Sequence, residues 1–134
     1  MRTQVNENAE RELDRIFPGR SISRVLFIAP PDADADMFDY ATAKRGRYWN
    51  FPPYGLGIIA AHIRNDGIDV RIINLNNEVL KACKHSISEK AFDFDDVWKT
   101  ELSKALKDFQ PDIAGVTCMF TQTHRSAVKV CGEI

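Results

Sequence analysis

Phe51-Pro52-Pro53-Tyr54-Gly55-Leu56-Gly57-Ile58-Ile59-Ala60-Ala61 lies between two apolar, strand-like runs at residues 24–29 and 70–75. The diproline presets φ for a first helical turn, and Leu56, Ile59 and Ile63 share one face at helical spacing. A helix over 54–65, stopped by Asp66-Gly67, therefore joins the two runs into one β-α-β unit. Gly55 and Gly57 leave the backbone open to close approach, either by a ligand ahead of Gly55 or by the sheet in tight packing.

The 134 residues are 44% hydrophobic and 28% charged, with a formal net charge of -1. That length supports one core, short of a doubly wound domain plus a catalytic domain. The near-neutral balance gives no basis for a polyanion, so no nucleic-acid partner is expected. No apolar run approaches the roughly 20 residues that span a bilayer. Glu7, Glu10, Glu12 and Asp14 break the basic-then-apolar order of a signal peptide. The expectation is a cytoplasmic protein with no membrane partner. Cys83, Cys118 and Cys131 are too widely spaced for a compact thiolate metal site and read as small hydrophobes, with Cys118 inside a strand.

Outward from the β-α-β unit, Ala9, Leu13, Ile16 and Phe17 predict a leader helix over 6–17 within an N-terminal segment, 1–22, ahead of the domain at 23–134. Strand one, 24–29, is nearly continuous in apolar residues, as in a strand buried on both faces of a parallel sheet, and Pro30-Pro31 stops it. Residues 32–50 have little period but hold Met37, Phe38, Tyr40, Tyr48 and Trp49, and a loop this long suits a binding role. Tyr48 and Trp49 are the candidates there for covering a broad flat ligand. A short helix is expected over 78–84. A longer one runs to Phe109, capped by Asp95 or Asp96, with Val97, Trp98, Leu102, Leu106 and Phe109 as its apolar face. Gln110-Pro111-Asp112 breaks it, strand three covers 113–119, and a last helix starts near Arg125 and is still running at Ile134. Alternating strands and helices predict an α/β three-layer fold with a parallel sheet, and an unpaired strand-three edge points to an N-terminal piece of a longer product or to a partner.

Two other α/β functions fail on specific residues. A phospho-acceptor receiver needs an aspartate at the end of strand three, where Cys118-Met119-Phe120 stand, and a dinucleotide site needs its glycines in a tight first turn instead of after a long loop. Asp32, Asp34 and Asp36 lack the turn glycine and distal glutamate of a calcium loop and read as solvated.

Strand one ending in Ala29-Pro30-Pro31, Pro52-Pro53-Tyr54-Gly55 at the helix head, Gly67-Ile68-Asp69-Val70, and Pro111-Asp112-Ile113-Ala114-Gly115 before strand three together resemble the N-terminal cobalamin-binding domain of radical S-adenosylmethionine enzymes. The resemblance implies a flavodoxin-like (Rossmann-like) three-layer parallel sheet, incomplete at the C-terminus, with strand order 2-1-3 for the part present. Its ligand would sit at the carboxyl ends of strands one and three, where the order reverses. The matching cofactor-edge residues are Pro30, Pro31, Tyr54, Gly55, Leu56, Thr117, Cys118, Met119, Phe120 and Thr121.

Departures from the pattern shape the implied chemistry. Residues 30–51 contain no histidine, so no lower cobalt ligand comes from the strand-one loop, and of His62, His85 and His124 only His124 falls near the predicted ligand edge. The cysteine-x3-cysteine-x2-cysteine loop that holds a 4Fe-4S cluster for S-adenosylmethionine is absent, so cluster and S-adenosylmethionine belong to a downstream domain. No catalytic motif stands in the chain. The resemblance thus implies a cobalamin-binding module that presents cobalamin to a radical S-adenosylmethionine domain in cis, for methyl transfer or related radical chemistry. The alternative is a ligand-free flavodoxin-like partner or regulatory domain that acts through protein association at the open strand-three edge.

Overall fold

The computed structural model describes residues 11–19 and 21–134. Three strands organise the domain, β1 (Arg24–Ala29), β2 (Asp69–Asn74) and β3 (Ile113–Val116). All pairs are parallel and the order is β2-β1-β3, with Val25 opposite Val70 on one side and Ile113 on the other. This is the flavodoxin-like arrangement in its first three strands. Five helices accompany the sheet: α1 (Tyr40–Lys44), α2 (Tyr54–Asn65), α3 (Leu75–His85), α4 (Phe94–Phe109) and α5 (His124–Gly132).

Strand β1 is the axis of the core because it is covered on both faces. On one face Leu26 and Ile28 pack with Leu75 and Val79 of α3, Phe94, Trp98, Leu102 and Phe109 of α4, and Val130 of α5. On the other, Val25 and Val70 meet Ala60 of α2, with Phe27, Ile63 and Ile113 around them. Each fully buried aliphatic or aromatic side chain contributes about 2 kcal/mol. Leu26 and Ile28, at 1% and 0% exposure, therefore anchor the larger cluster.

Helix α2 has the bounds its sequence predicts, but its buried residue is Ala60, while Ile59 is 48% exposed. The small Ala60 brings the helix close to the sheet and turns the Ile58–Ile59 side outward. Helix α3 begins directly at the end of β2 instead of at residue 78, because the Asn74 side chain accepts from the Asn77 N–H at 3.0 Å and caps it. Asp93, rather than Asp95 or Asp96, caps α4 by accepting from the Asp96 N–H at 2.9 Å, and Asp95 instead accepts from the Trp98 indole at 2.8 Å. Strand β3 stops at Val116, three residues short of expectation, and α5 ends at Gly132 instead of running to the last residue. Cys118 consequently lies beyond the strand and is exposed, as is Cys131, while Cys83 is buried and its thiol pKa pushed up by that burial. In the leader segment residues 11–16 are helical, with Leu13 and Ile16 exposed, and the expected first part of that helix, including Ala9, lies outside the described residues.

Both edges of the loop at 30–53 are strapped down. Phe38 stacks on Tyr48 at 5.3 Å and packs against Phe92 and Phe94, and Tyr48 Oη accepts from the Asp39 N–H at 2.8 Å. Lys44 Nζ donates to the carbonyls of Cys83, Lys84 and Ser86, placing a cation at the C-terminal end of α3. Tyr48 is thus loop packing, whereas Trp49 is 76% exposed and stacks on Phe51 at 5.7 Å.

At the amino end of the sheet the Asp112 carboxylate accepts from the Ser23 N–H at 2.8 Å, the Arg24 N–H at 2.9 Å and the Ser23 hydroxyl at 3.0 Å. It joins the start of β1 to the start of β3. These bonds, led by the Ser23 N–H, hold its carboxyl below the ordinary value of 3.8. A carboxyl lowered by folding stabilises fully above its unfolded pKa and loses that contribution as pH falls through the folded value. The urea midpoint of the native protein should therefore exceed that of Asp112→Asn near neutrality, with the gap closing as pH drops below 3.8. A gap independent of pH would show that the ionised carboxylate is not the stabilising species.

Candidate ligand-binding site

Parallel strands send all their outgoing loops to one edge, and here three of them enclose a cavity of about 270 Å³. Ala29, Pro30 and Asp32 line it after β1. Phe51, Pro52, Pro53, Tyr54 and Gly55 contribute from the head of α2, Asn74 and Asn76 from the β2–α3 junction, and Thr117, Met119, Phe120 and Thr123 from the segment after β3. A shallower apolar groove of about 590 Å³ continues along α2 and β2 through Ile58, Ala61 and Ile72, sharing Pro52, Pro53, Tyr54 and Asn74 with the cavity.

Among the residues expected at a cofactor edge, Pro30, Tyr54, Gly55, Thr117, Met119 and Phe120 come together around this cavity. The other four do not line it: Pro31 is fully buried, Leu56 is half-buried on α2, and Cys118 and Thr121 are exposed. His124 heads α5 and is exposed without lining the cavity. A methyl group added at Gly55 or Gly57 would meet nothing within 4 Å, which rules out tight packing on the sheet as the reason for these glycines. Large apolar side chains surround the mouth in solvent: Phe51 is 69% exposed, Tyr54 72%, Met119 68% and Phe120 56%.

Sequence reading missed the polar side of the cavity. Asp32 and Asn76 bond reciprocally: the Asp32 N–H donates to Asn76 Oδ1 and Asn76 Nδ2 donates to Asp32 Oδ2, both at 3.1 Å. Burial raises the Asp32 pKa, so this carboxylate is not the solvated group expected. The available signal was Asn74-Leu75-Asn76-Asn77, an asparagine-rich run at a strand end that favours a helix cap.

Asp34 departs further from expectation. It is 2% exposed, accepts from the Ser126 hydroxyl at 3.2 Å, and pairs with Lys129 Nζ at 3.2 Å and Arg125 Nε at 3.0 Å, the last a charge contact outside hydrogen-bond alignment. Arg125 also reaches Asp36, which is 62% exposed. Asp34 therefore fastens the loop after β1 to α5 and fixes Asp32 relative to Thr123 across the cavity.

The fold and cavity define a parallel α/β module with a ligand-sized opening at the point where strand order reverses. No protein-family model, curated protein or solved structure matches the chain at a significant level. No helix among the described residues is long and apolar enough to cross a membrane.

Burial separates the two aspartates energetically. Asp34→Ala leaves two cations without their shared buried partner and should lower unfolding free energy by about 2 kcal/mol, whereas Asp36→Ala should cost less than about 0.5 kcal/mol. Equal urea-denaturation losses for the two variants would contradict the anchoring role of Asp34.

Proposed function

We propose that the chain is a cobalamin-binding module which, in a longer protein, presents the corrin to a radical S-adenosylmethionine domain. The observation that carries this reading is the continuity of cavity and groove: an apolar opening rimmed by exposed Phe51, Tyr54, Met119 and Phe120, at the switch point of the sheet. A corrin is broad, flat and apolar on its faces with carboxamides around its rim, and this lining matches it in both respects, aromatic at the mouth and polar at Asp32, Asn74 and Asn76. Among the described residues no group of three His, Cys, Asp or Glu side chains is placed to hold a metal, and a corrin needs none because its own ring nitrogens carry the cobalt.

When bound, the cofactor supplies cobalt-centred alkyl transfer. The chain's own residues bind and orient it. Tyr54 and Gly55 at the α2 head and Thr117, Met119 and Phe120 after β3 would hold the ligand from two sides, and the exposed apolar side chains would exclude water from its face. The chain holds no group assigned to bond breaking.

A second reading has its own observation. All four residues of β3 are half-buried and, among the described residues, the strand pairs only with β1, which leaves its other edge open there to associate with another sheet edge.

Titration of the purified chain with hydroxocobalamin and methylcobalamin, followed by ultraviolet-visible spectroscopy, separates the two. Saturable, near-stoichiometric binding that is lost in Thr117→Trp, with the variant's circular dichroism unchanged, is the expected result. A folded chain that binds neither cobalamin and self-associates in light scattering would replace the cofactor module with the association module.

A further inference from the structure

The polar atoms of the cavity are not equally satisfied. Asn76 uses both ends of its carboxamide on Asp32, and Thr123 Oγ1 is engaged with the Phe120 backbone. Asp32 spends only Oδ2 on Asn76, and Asn74 spends only Oδ1 on the Asn77 N–H. Among the described residues Asp32 Oδ1 has no donor and Asn74 Nδ2 has no acceptor. Beside the Thr117 and Tyr54 hydroxyls, the lining thus offers a spare acceptor at Asp32 and a spare donor at Asn74 in a mainly apolar cavity, and among the described residues Asp32 is its one charged side chain. A carboxylate or phosphate would meet that negative charge without a compensating cation in the lining. A group able to donate to Asp32 and accept from Asn74 satisfies both.

We propose that Asp32 and Asn74 form a carboxamide-recognition pair, which selects a neutral primary amide over the corresponding acid. Resting on the cobalamin reading, the pair would take one peripheral carboxamide of the corrin. Asn76 positions the pair by holding Asp32 through two hydrogen bonds, and the Asn74 cap on α3 fixes the other member in the same stroke. Amide selectivity comes from differential pairing: an acid ligand would leave the Asn74 donor satisfied but force two carboxylates together.

The test uses matched ligands and substitutions that keep the supporting contacts. Asn74→Asp retains the helix-capping oxygen and removes the donor; Asp32→Asn retains an oxygen for Asn76 and removes the charge. The whole chain is titrated with hydroxocobalamin and with its monocarboxylic acids, in each of which one rim carboxamide is hydrolysed. In parallel, ¹⁵N spectra of the Asn74 side-chain amide follow nicotinamide and nicotinate. At least one monocarboxylic acid should bind about tenfold more weakly than hydroxocobalamin, Asn74→Asp should weaken amide binding by a similar factor, and Asp32→Asn should abolish the preference for amide over acid. Nicotinamide, not nicotinate, should shift the Asn74 signal. If hydroxocobalamin and all the acids bind equally, the recognition pair is wrong while the cobalamin reading stands. If no corrin binds but the chain still distinguishes nicotinamide from nicotinate through Asn74, the pair stands and the cobalamin reading falls. Equal shifts from nicotinamide and nicotinate, or none, overturn the pair.

Discussion

The parallel pairing of β1 with both β2 and β3 is the constraint on which the remaining structure depends. Parallel neighbours cannot be joined by a tight hairpin, so each connection must cross from the carboxyl edge back to the amino edge. Helices α2 and α4 make those returns on opposite faces, and β1 becomes the one strand buried on both sides. The two edges of the sheet then have different chemistry. At the amino edge Asp112 gathers the backbone of Ser23 and Arg24 and sets where β3 begins beside β1. At the carboxyl edge all three strands release their loops around a common opening.

Those loops are held at a few strong points and left open between them. Phe38 enters the aromatic cluster with Phe92 and Phe94, Lys44 sits on the last carbonyls of α3, and Asp34 ties the chain to α5. Such fastening restricts the loop without filling the space in front of α2, where Trp49 and Phe51 stack in solvent. The long connection is therefore a built wall of the cavity, fastened through Phe38, Lys44 and Asp34, none of which lines the opening.

What the sequence disclosed follows from which forces are local. Hydrophobic period and Pro-Gly punctuation are local, so strand β1, helix α2, the break at Gln110-Pro111 and the 2-1-3 order that the resemblance implied are all legible. The Pro111-Asp112-Ile113-Ala114-Gly115 motif was legible as a pattern, but its physical reasons are distant ones: Asp112 reaches back to Ser23, and a Cβ at Gly115 would stand 3.0 Å from the Phe27 ring. Helix starts slipped where side-chain caps decided them, at Asn74 and Asp93. The largest error, treating Asp32 and Asp34 as solvated, has the same origin. Their partners, Asn76, Ser126 and Lys129, lie 44 to 95 residues away in sequence, and no spacing rule connects them. The cavity's apolar residues could be anticipated from the resemblance, whereas its polar pair emerges only when the β1 loop meets the α3 cap.

Exposure around the opening argues for a ligand over a protein edge as the principal occupant. Covering about 100 Å² of apolar surface contributes roughly 2.5 kcal/mol, so an occupant lying across Phe51, Tyr54 and Phe120 has a substantial driving force before any polar contact forms. Association through the β3 edge would satisfy backbone groups there but would leave these side chains, and the spare hydrogen-bonding atoms of Asp32 and Asn74, in the state they already occupy. A broad ligand with a polar rim addresses both at one position. For such a ligand the apolar surface would supply most of the affinity, and the proposed donor–acceptor pair would decide which rim group enters, because an incorrectly matched ligand would leave polar atoms unpaired in a partly desolvated cavity.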